Sequence, residues 1–132
     1  MAVLLVDSTV YIDWMRRGHS PVRMLAPYVQ SGALASCGLI RAEVIRGVIN
    51  PAVRSEMEEF FDLIPSVETT AAIWEAVANL AWKLDRKGRV LPLTDLAIAV
   101  CAQSIHAEII SHDRHFAGIP GILWRTGLPS AG

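Results

Sequence analysis

A chain of 132 residues with 52% apolar side chains is long enough to bury one core and needs no disulfide or structural metal to hold it together. Its formal net charge of −1, from 12 basic and 13 acidic residues, argues against a protein that coats nucleic acid by bulk charge. A mean hydropathy of +0.37 is high for a soluble chain, which points to strands buried on both faces and an apolar surface kept for a partner.

The longest uncharged stretch, Met24 to Ile40, is interrupted by Pro27, Gln30, Ser31 and Gly32, so no membrane span is expected. The N-terminal apolar run has no basic segment before it and stops at Asp7, too early for a signal peptide, so a cytosolic protein is expected. Cys37 and Cys101 form no C-x-x-C pair and read as small buried residues.

Val3-Leu4-Leu5-Val6 has the pattern of a buried strand, and Asp7-Ser8-Thr9 after it that of a helix cap. A short helix from Val10 to Arg17 closes at Gly18, and Ser20-Pro21 opens a second helix that Pro27 would break or kink. Ala33 to Cys37 is a second strand between Gly32 and Gly38. A helix from about Leu39 to Val48 follows, then a turn at Asn50-Pro51. Ala52 to Asp62 mixes acids with Met57, Phe60 and Phe61 as an amphipathic surface helix does.

Leu63 to Val67 is a possible third strand despite Pro65. Thr69 or Thr70 caps the longest helix, which runs to about Lys87 and carries Ile73, Trp74, Val77, Ala78, Leu80, Ala81 and Leu84 at helical spacing. Thr94 is expected to cap a nearly all-apolar helix from Asp95 to Ser104. Strands are expected at Glu108 to Ser111 and Gly121 to Trp124, with a loose tail after Gly127. Strands alternating with helices define an α/β fold with a parallel sheet, a single domain spanning residues 1–132.

Parallel sheets place their sites at the carboxyl ends of the strands. Asp7 directly follows the first strand, and Asp113 lies just past the fourth. Asp95 opens the apolar helix, and Glu43 sits in the first turns of the helix after the second strand. Each has a plain structural role available: a cap or helix-dipole contact for Asp7 and Asp95, an i,i+3 pair with Arg46 for Glu43, a turn for Asp113. Together they converge on one edge, where carboxylates repel one another unless a hard divalent cation compensates.

No H-E-x-x-H, Cys/His quartet, Gly-rich phosphate loop or G-x-S-x-G elbow competes. His112 and His115 read as loop residues near the site and not as zinc ligands.

At these residues the sequence resembles a known family. Val6-Asp7-Ser8-Thr9-Val10-Tyr11-Ile12 resembles the opening motif of PIN domains. Ala42-Glu43-Val44-Ile45-Arg46-Gly47 resembles the second, Leu93-Thr94-Asp95-Leu96-Ala97-Ile98-Ala99 the third, and Ile110-Ser111-His112-Asp113-Arg114-His115-Phe116 the fourth. The order, spacing and length are similar to those of VapC toxins, which are single PIN domains.

The resemblance implies a three-layer α/β/α fold and a metal-dependent endoribonuclease, the toxin of a type II toxin–antitoxin pair. Asp7, Glu43, Asp95 and Asp113 would be its catalytic, Mg²⁺- or Mn²⁺-binding acids. Ser8, Thr9 and Ser111 would hydrogen-bond those acids or the metal's waters. It also implies a homodimer and a VapB-type antitoxin placed over or into the site. Many members carry a further acid after the fourth-motif aspartate. Arg114-His115-Phe116-Ala117 carries none, so a second ion is expected to bind weakly or only with substrate phosphate.

RNA contacts are expected from Arg16, Arg46, Arg86, Lys87 and Arg114, with Lys83, Arg86, Lys87 and Arg89 clustered against Asp85 alone. Tyr11, Trp14 and Met15 would line an apolar groove for the antitoxin or pack in the core. Trp74 and Trp82 read as core or dimer contacts. Two rival classes remain. One is a non-catalytic PIN-like module that binds RNA or protein. The other is a phosphoryl-transfer α/β domain, which the lack of Asp-x-Asp after the first strand and of paired acids there disfavours.

Overall fold

A computed structural model describes residues 2–129. The first strand, β1 (Leu4–Val6), is buried along its length and leads straight into α1 (Ser8–Arg16). Then come α2 (Pro21–Gln30), β2 (Leu34–Cys37), α3 (Gly38–Gly47), α4 (Pro51–Leu63) and β3 (Ser66–Val67). The second half adds α5 (Ala71–Arg86), α6 (Leu93–Ser104), β4 (Glu108–Ile110), a 3₁₀ turn at Arg114–Phe116 and β5 (Trp124–Arg125).

All paired strands are parallel, in the order β3-β2-β1-β4-β5. Six helices flank this sheet in the expected α/β/α arrangement. The chain leaves β1 toward β2 and β3, then returns on the other side as β4 and β5. The strand order therefore switches direction at β1, where an open α/β sheet forms its crevice. Leu4 pairs with both Leu34 and Glu108, which brings the carboxyl ends of β2, β1 and β4 to one edge.

Local chemistry sets the boundaries. Ser20 accepts the Arg23 amide and Pro21 takes the first helical position of α2. Pro27 does not break that helix: it and Arg23 both lie on the exposed face, where solvent reaches the carbonyl left without a partner. Asn50 caps α4 through the Ala52 and Val53 amides, and Thr70 caps α5 through the Ile73 amide.

Three expectations need correction. Thr94 caps nothing, because α6 begins earlier, at Leu93 after the extended Pro92, whose carbonyl accepts the Leu96 amide. That places Asp95 inside the first turn. The third strand is only Ser66–Val67, since Pro65 has no amide to give and meets β2 through its carbonyl alone. The fifth strand starts later than expected, after a turn in which Gly121 takes a positive φ of 76°.

The core runs along both faces of the sheet. Leu96 to Ala102 of α6 are buried without interruption, so this helix is central. Tyr11 packs edge-on or tilted against Trp14, Phe60 and Phe61, and Phe60 and Phe61 meet edge-on. The stripe expected on α5 divides. Val77 and Leu84 are buried, whereas Trp74 and Trp82 are 46% and 60% exposed and so are not core residues. Cys37 and Cys101 are buried and free, as expected. Among the described residues, no helix is long and apolar enough to cross a membrane. Leu128 packs against the core and the Pro129 carbonyl accepts the Tyr28 hydroxyl. The rest of the tail expected to be loose, 130–132, lies outside the described residues.

Candidate functional site

Asp7 occupies the N-cap position of α1, yet its carboxylate caps nothing. Its amide donates to the Ile110 carbonyl at 2.8 Å, joining the ends of β1 and β4. Its side chain, 4% exposed, turns to two hydroxyls: Oδ2 accepts from Thr9 Oγ1 at 2.9 Å and from Ser111 Oγ at 2.8 Å. Each hydroxyl has one proton, and both protons are spent on Asp7. The same oxygens are then acceptors for the amides of His112 (to Thr9, 3.1 Å) and Asp113 (to Ser111, 3.0 Å). The ordinary capping role is thus absent, and a buried carboxylate is held by a small relay that also shapes the loop after β4.

Glu43, on α3, faces the same edge, where Ser8 Oγ donates to its Oε1 at 3.3 Å. Burial pushes its carboxyl above the ordinary range, and the Asp7 charge pushes it further. The Ser8 hydrogen bond opposes these, Asp95 adds to them, and Arg46 opposes. Arg46 makes no ion pair with it among the described residues, so the plain surface-pair role does not describe Glu43.

Asp95, in the first turn of α6, is also raised, first by burial. A hydrogen bond from His115 opposes, and the Asp113 charge raises it again. Asp113 does serve its turn: Oδ1 accepts the His115 amide at 2.9 Å. The four acids therefore feel one another across β1, α3, α6 and the loop after β4.

His115 stands between the last two. Its Nδ1 lies 2.8 Å from Asp95 Oδ2 and 3.1 Å from Asp113 Oδ1, and these carboxylates raise its pKa, Asp95 the more strongly. The sequence places this histidine near the site. Nothing local shows that the 3₁₀ turn folds its ring back onto α6.

Among the described residues, none of the expected RNA-contacting residues makes an ion pair with the four acids. Arg114 lies between Asp113 and His115, and Arg46 lies one turn along α3 from Glu43; both are exposed. Arg86 stacks on Trp82 at 4.9 Å, and Lys87 follows it as the C-cap of α5. Arg89 is committed to the Ala117 and Gly118 carbonyls at 3.0 and 2.8 Å. Arg16 borders a groove of about 360 Å³ lined with Ile12, Met15, Val48, Ile49 and Val53. Of the expected groove residues, Met15 takes that place, while Tyr11 and Trp14 are in the core.

Asp95, Asp113 and His115 bring one ligand atom each to within 4.8 Å of one another, a donor group a divalent cation could use. Asp7, buried, and Glu43, half-buried, lie outside that group and act on it through their charges. The PIN domain profile matches residues 4–122, and the chain belongs to the PIN domain family. Its fold is similar to that of DNA-bound VapBC from Salmonella typhimurium, with a TM-score of 0.77 over 95% of this chain and 98% of that one at 19% identity. It is similar also to VapBC2 from Rickettsia felis bound to a promoter DNA fragment, with a TM-score of 0.76, 93% and 97% coverage and 18% identity. It is similar too to FitAcB from Neisseria gonorrhoeae, with a TM-score of 0.68, 92% and 96% coverage and 15% identity. The fold is thus that of VapC-type PIN domains. No curated protein matches the chain.

Proposed function

We propose that this PIN domain is a divalent-metal-dependent endoribonuclease and acts in the cytosol as the toxin of a type II toxin–antitoxin pair. The observation that carries this reading is the carboxylate of Asp7, buried at an N-cap position it does not use and aimed with Glu43, Asp95 and Asp113 at one edge of the sheet. A purely structural fold gains nothing from placing the charges of Asp7 and Asp113 where they push the carboxyls of Glu43 and Asp95 above the ordinary range. A cation relieves them.

Asp7, Glu43, Asp95 and Asp113 would hold Mg²⁺ or Mn²⁺. When bound, such an ion acidifies water and neutralises charge on the scissile phosphate. Thr9 and Ser111 fix the Asp7 carboxylate so that one oxygen is committed to the protein. Ser8 orients Glu43 in the same way. Burial of Asp7 excludes water from the floor of the site, while the half-buried Asp95 and Asp113 and the exposed His115 leave its mouth open to a strand of RNA. Arg46 and Arg114, beside that mouth, are the basic residues best placed to meet phosphates; Arg16, Arg86 and Lys87 would act farther along a bound chain.

Water, and not a ribose hydroxyl, is the nucleophile in this reading, so the products carry 5′-phosphate and 3′-hydroxyl ends. The VapBC likeness supports a VapB-type antitoxin as partner, its apolar face seated in the groove beside Met15 and Ile49. The exposed Trp74 and Trp82 supply an apolar stripe for a homodimer.

Purified protein incubated with total RNA tests the reading. Discrete cleavage is expected with Mg²⁺ or Mn²⁺, and none with EDTA or in Asp7→Asn and Asp95→Asn. Cleavage that ignores EDTA, or 2′,3′-cyclic phosphate ends, would overturn it. RNA binding without cleavage in any metal would favour the non-catalytic module.

A further inference from the structure

We propose that His115 is a nitrogen ligand of the metal centre, making it a mixed imidazole–carboxylate site that prefers Mn²⁺ and similar transition ions over Mg²⁺. The inference rests on the metal-dependent reading above and says which ion the site selects.

The argument is geometric. Asp95, Asp113 and His115 each present one ligand atom, and all three atoms lie within 4.8 Å of one another. His115 Nδ1 is 2.8 Å from Asp95 Oδ2 and 3.1 Å from Asp113 Oδ1. Neighbouring ligands on an octahedral ion with bonds of about 2.1 Å stand about 3.0 Å apart. The two nitrogen–oxygen separations are those of adjacent octahedral positions, so an ion reaches all three groups with little movement of the backbone.

The ring is placed by backbone on both sides of the gap. Asp95 is fixed in the first turn of α6. The 3₁₀ turn carrying His115 is fixed by the bond from the His115 amide to Asp113 Oδ1, by the buried Phe116 beside it, and by Arg89 on the carbonyls that follow. His112, the other histidine of this loop, is exposed and is held through its backbone amide to Thr9, which turns the loop without bringing its ring into the group.

Chemistry then decides the ion. Mg²⁺ takes oxygen ligands and keeps much of its water, whereas imidazole is a good donor to first-row transition ions and a poor one to Mg²⁺. Replacing an oxygen donor by Nδ1 therefore costs Mg²⁺ affinity and spares or raises that for Mn²⁺.

The test uses the metal-free full chain with Mn²⁺ or Mg²⁺ added singly, in wild type, His115→Gln and Asp95→Asn. Binding is read by calorimetry, and the Mn²⁺ coordination by pulsed electron paramagnetic resonance. Wild type is expected to show the nitrogen modulation of a directly bound imidazole. His115→Gln is expected to lose that signal and at least about tenfold of Mn²⁺ affinity, with Mg²⁺ affinity changed less than about threefold. His115 is exposed, so Gln is tolerated by the fold; unchanged circular dichroism checks this. Mn²⁺ binding that Asp95→Asn abolishes but that shows no nitrogen modulation would overturn the ligand assignment and leave the nuclease reading standing. Equal losses of Mn²⁺ and Mg²⁺ in His115→Gln would overturn it too. Absence of binding by either ion in wild type would overturn both readings.

Discussion

The two halves of the acidic cluster are built differently. Asp7 is buried at the junction of β1 and α1 and held by two hydroxyls on secondary structure or immediately beside it. Asp95, Asp113 and His115 are half-buried to exposed, and two of the three ride on a loop and a single 3₁₀ turn. One half is a preorganised anchor whose geometry is settled by folding. The other is held mainly by contacts among its own members, and it is the half that a cation, a proton or a bound partner can rearrange.

The largest effect expected from breaking this asymmetry is on the anchor. Asp7→Asn keeps the shape but removes the charge, and cleavage should fall by at least about 100-fold, beyond the range set by outer-shell partners. A residual activity within tenfold of wild type would show that the open half alone carries the chemistry. Ser111→Ala comes next. It removes a donor to Asp7 and an acceptor for the Asp113 amide together, so a loss of about 10–100-fold in metal affinity or activity is expected. A stability loss of about 1–3 kcal/mol in urea unfolding should accompany it.

The open half should report itself through pH. Glu43 and Asp95 are raised above their ordinary values of 4.5 and 3.8. The folded chain therefore holds protons that the unfolded chain has released. This contribution to stability is fully present below those ordinary values and is lost as pH climbs through the raised ones. His115 acts in the same direction: its raised pKa favours the folded state below its ordinary value of 6.5 and loses that contribution at higher pH.

Metal-free protein should accordingly lose melting temperature between about pH 4 and pH 8 from these groups, and Mn²⁺ should restore more of it at pH 7.5 than at pH 5. A metal-induced gain that does not grow with pH would mean that the acids are not the ion's ligands. The smallest effect is remote: Arg89→Ala frees the Ala117 and Gly118 carbonyls behind the open half and should cost about 1 kcal/mol. It should perturb metal affinity less than Ser111→Ala does.

Which parts of this were legible in the chain follows the same division. The order of strands and helices, and the placing of acids at strand ends, come from local pattern: Val6 to Asp7 is a strand meeting a helix, and that alone sets the position of the carboxylate. The partners Thr9 and Ser111 were legible by proximity to the acids. Their sharing of one Asp7 oxygen was not, because that depends on β1 and β4 being neighbours. The ring of His115 was missed as a partner of Asp95, since 20 residues and a loop reversal separate them. Thr94 misled because this good capping residue lies two positions past Pro92, the residue at which the helix starts. Of the two readings of Trp74 and Trp82, the core one fails, because periodicity shows which residues share a face and not whether anything covers it.

The switch of strand order at β1 has a consequence for the life of the chain. The bond that joins Ser111 to Asp7 spans 104 residues, and β4 lies against β1 on the side away from β2 and β3. No fragment that stops short of residue 113 contains all four acids. During synthesis the growing polypeptide therefore carries Asp7, Glu43 and Asp95 out of the ribosome before Asp113 has been added, and the four acids cannot assemble until the loop after β4 has followed them.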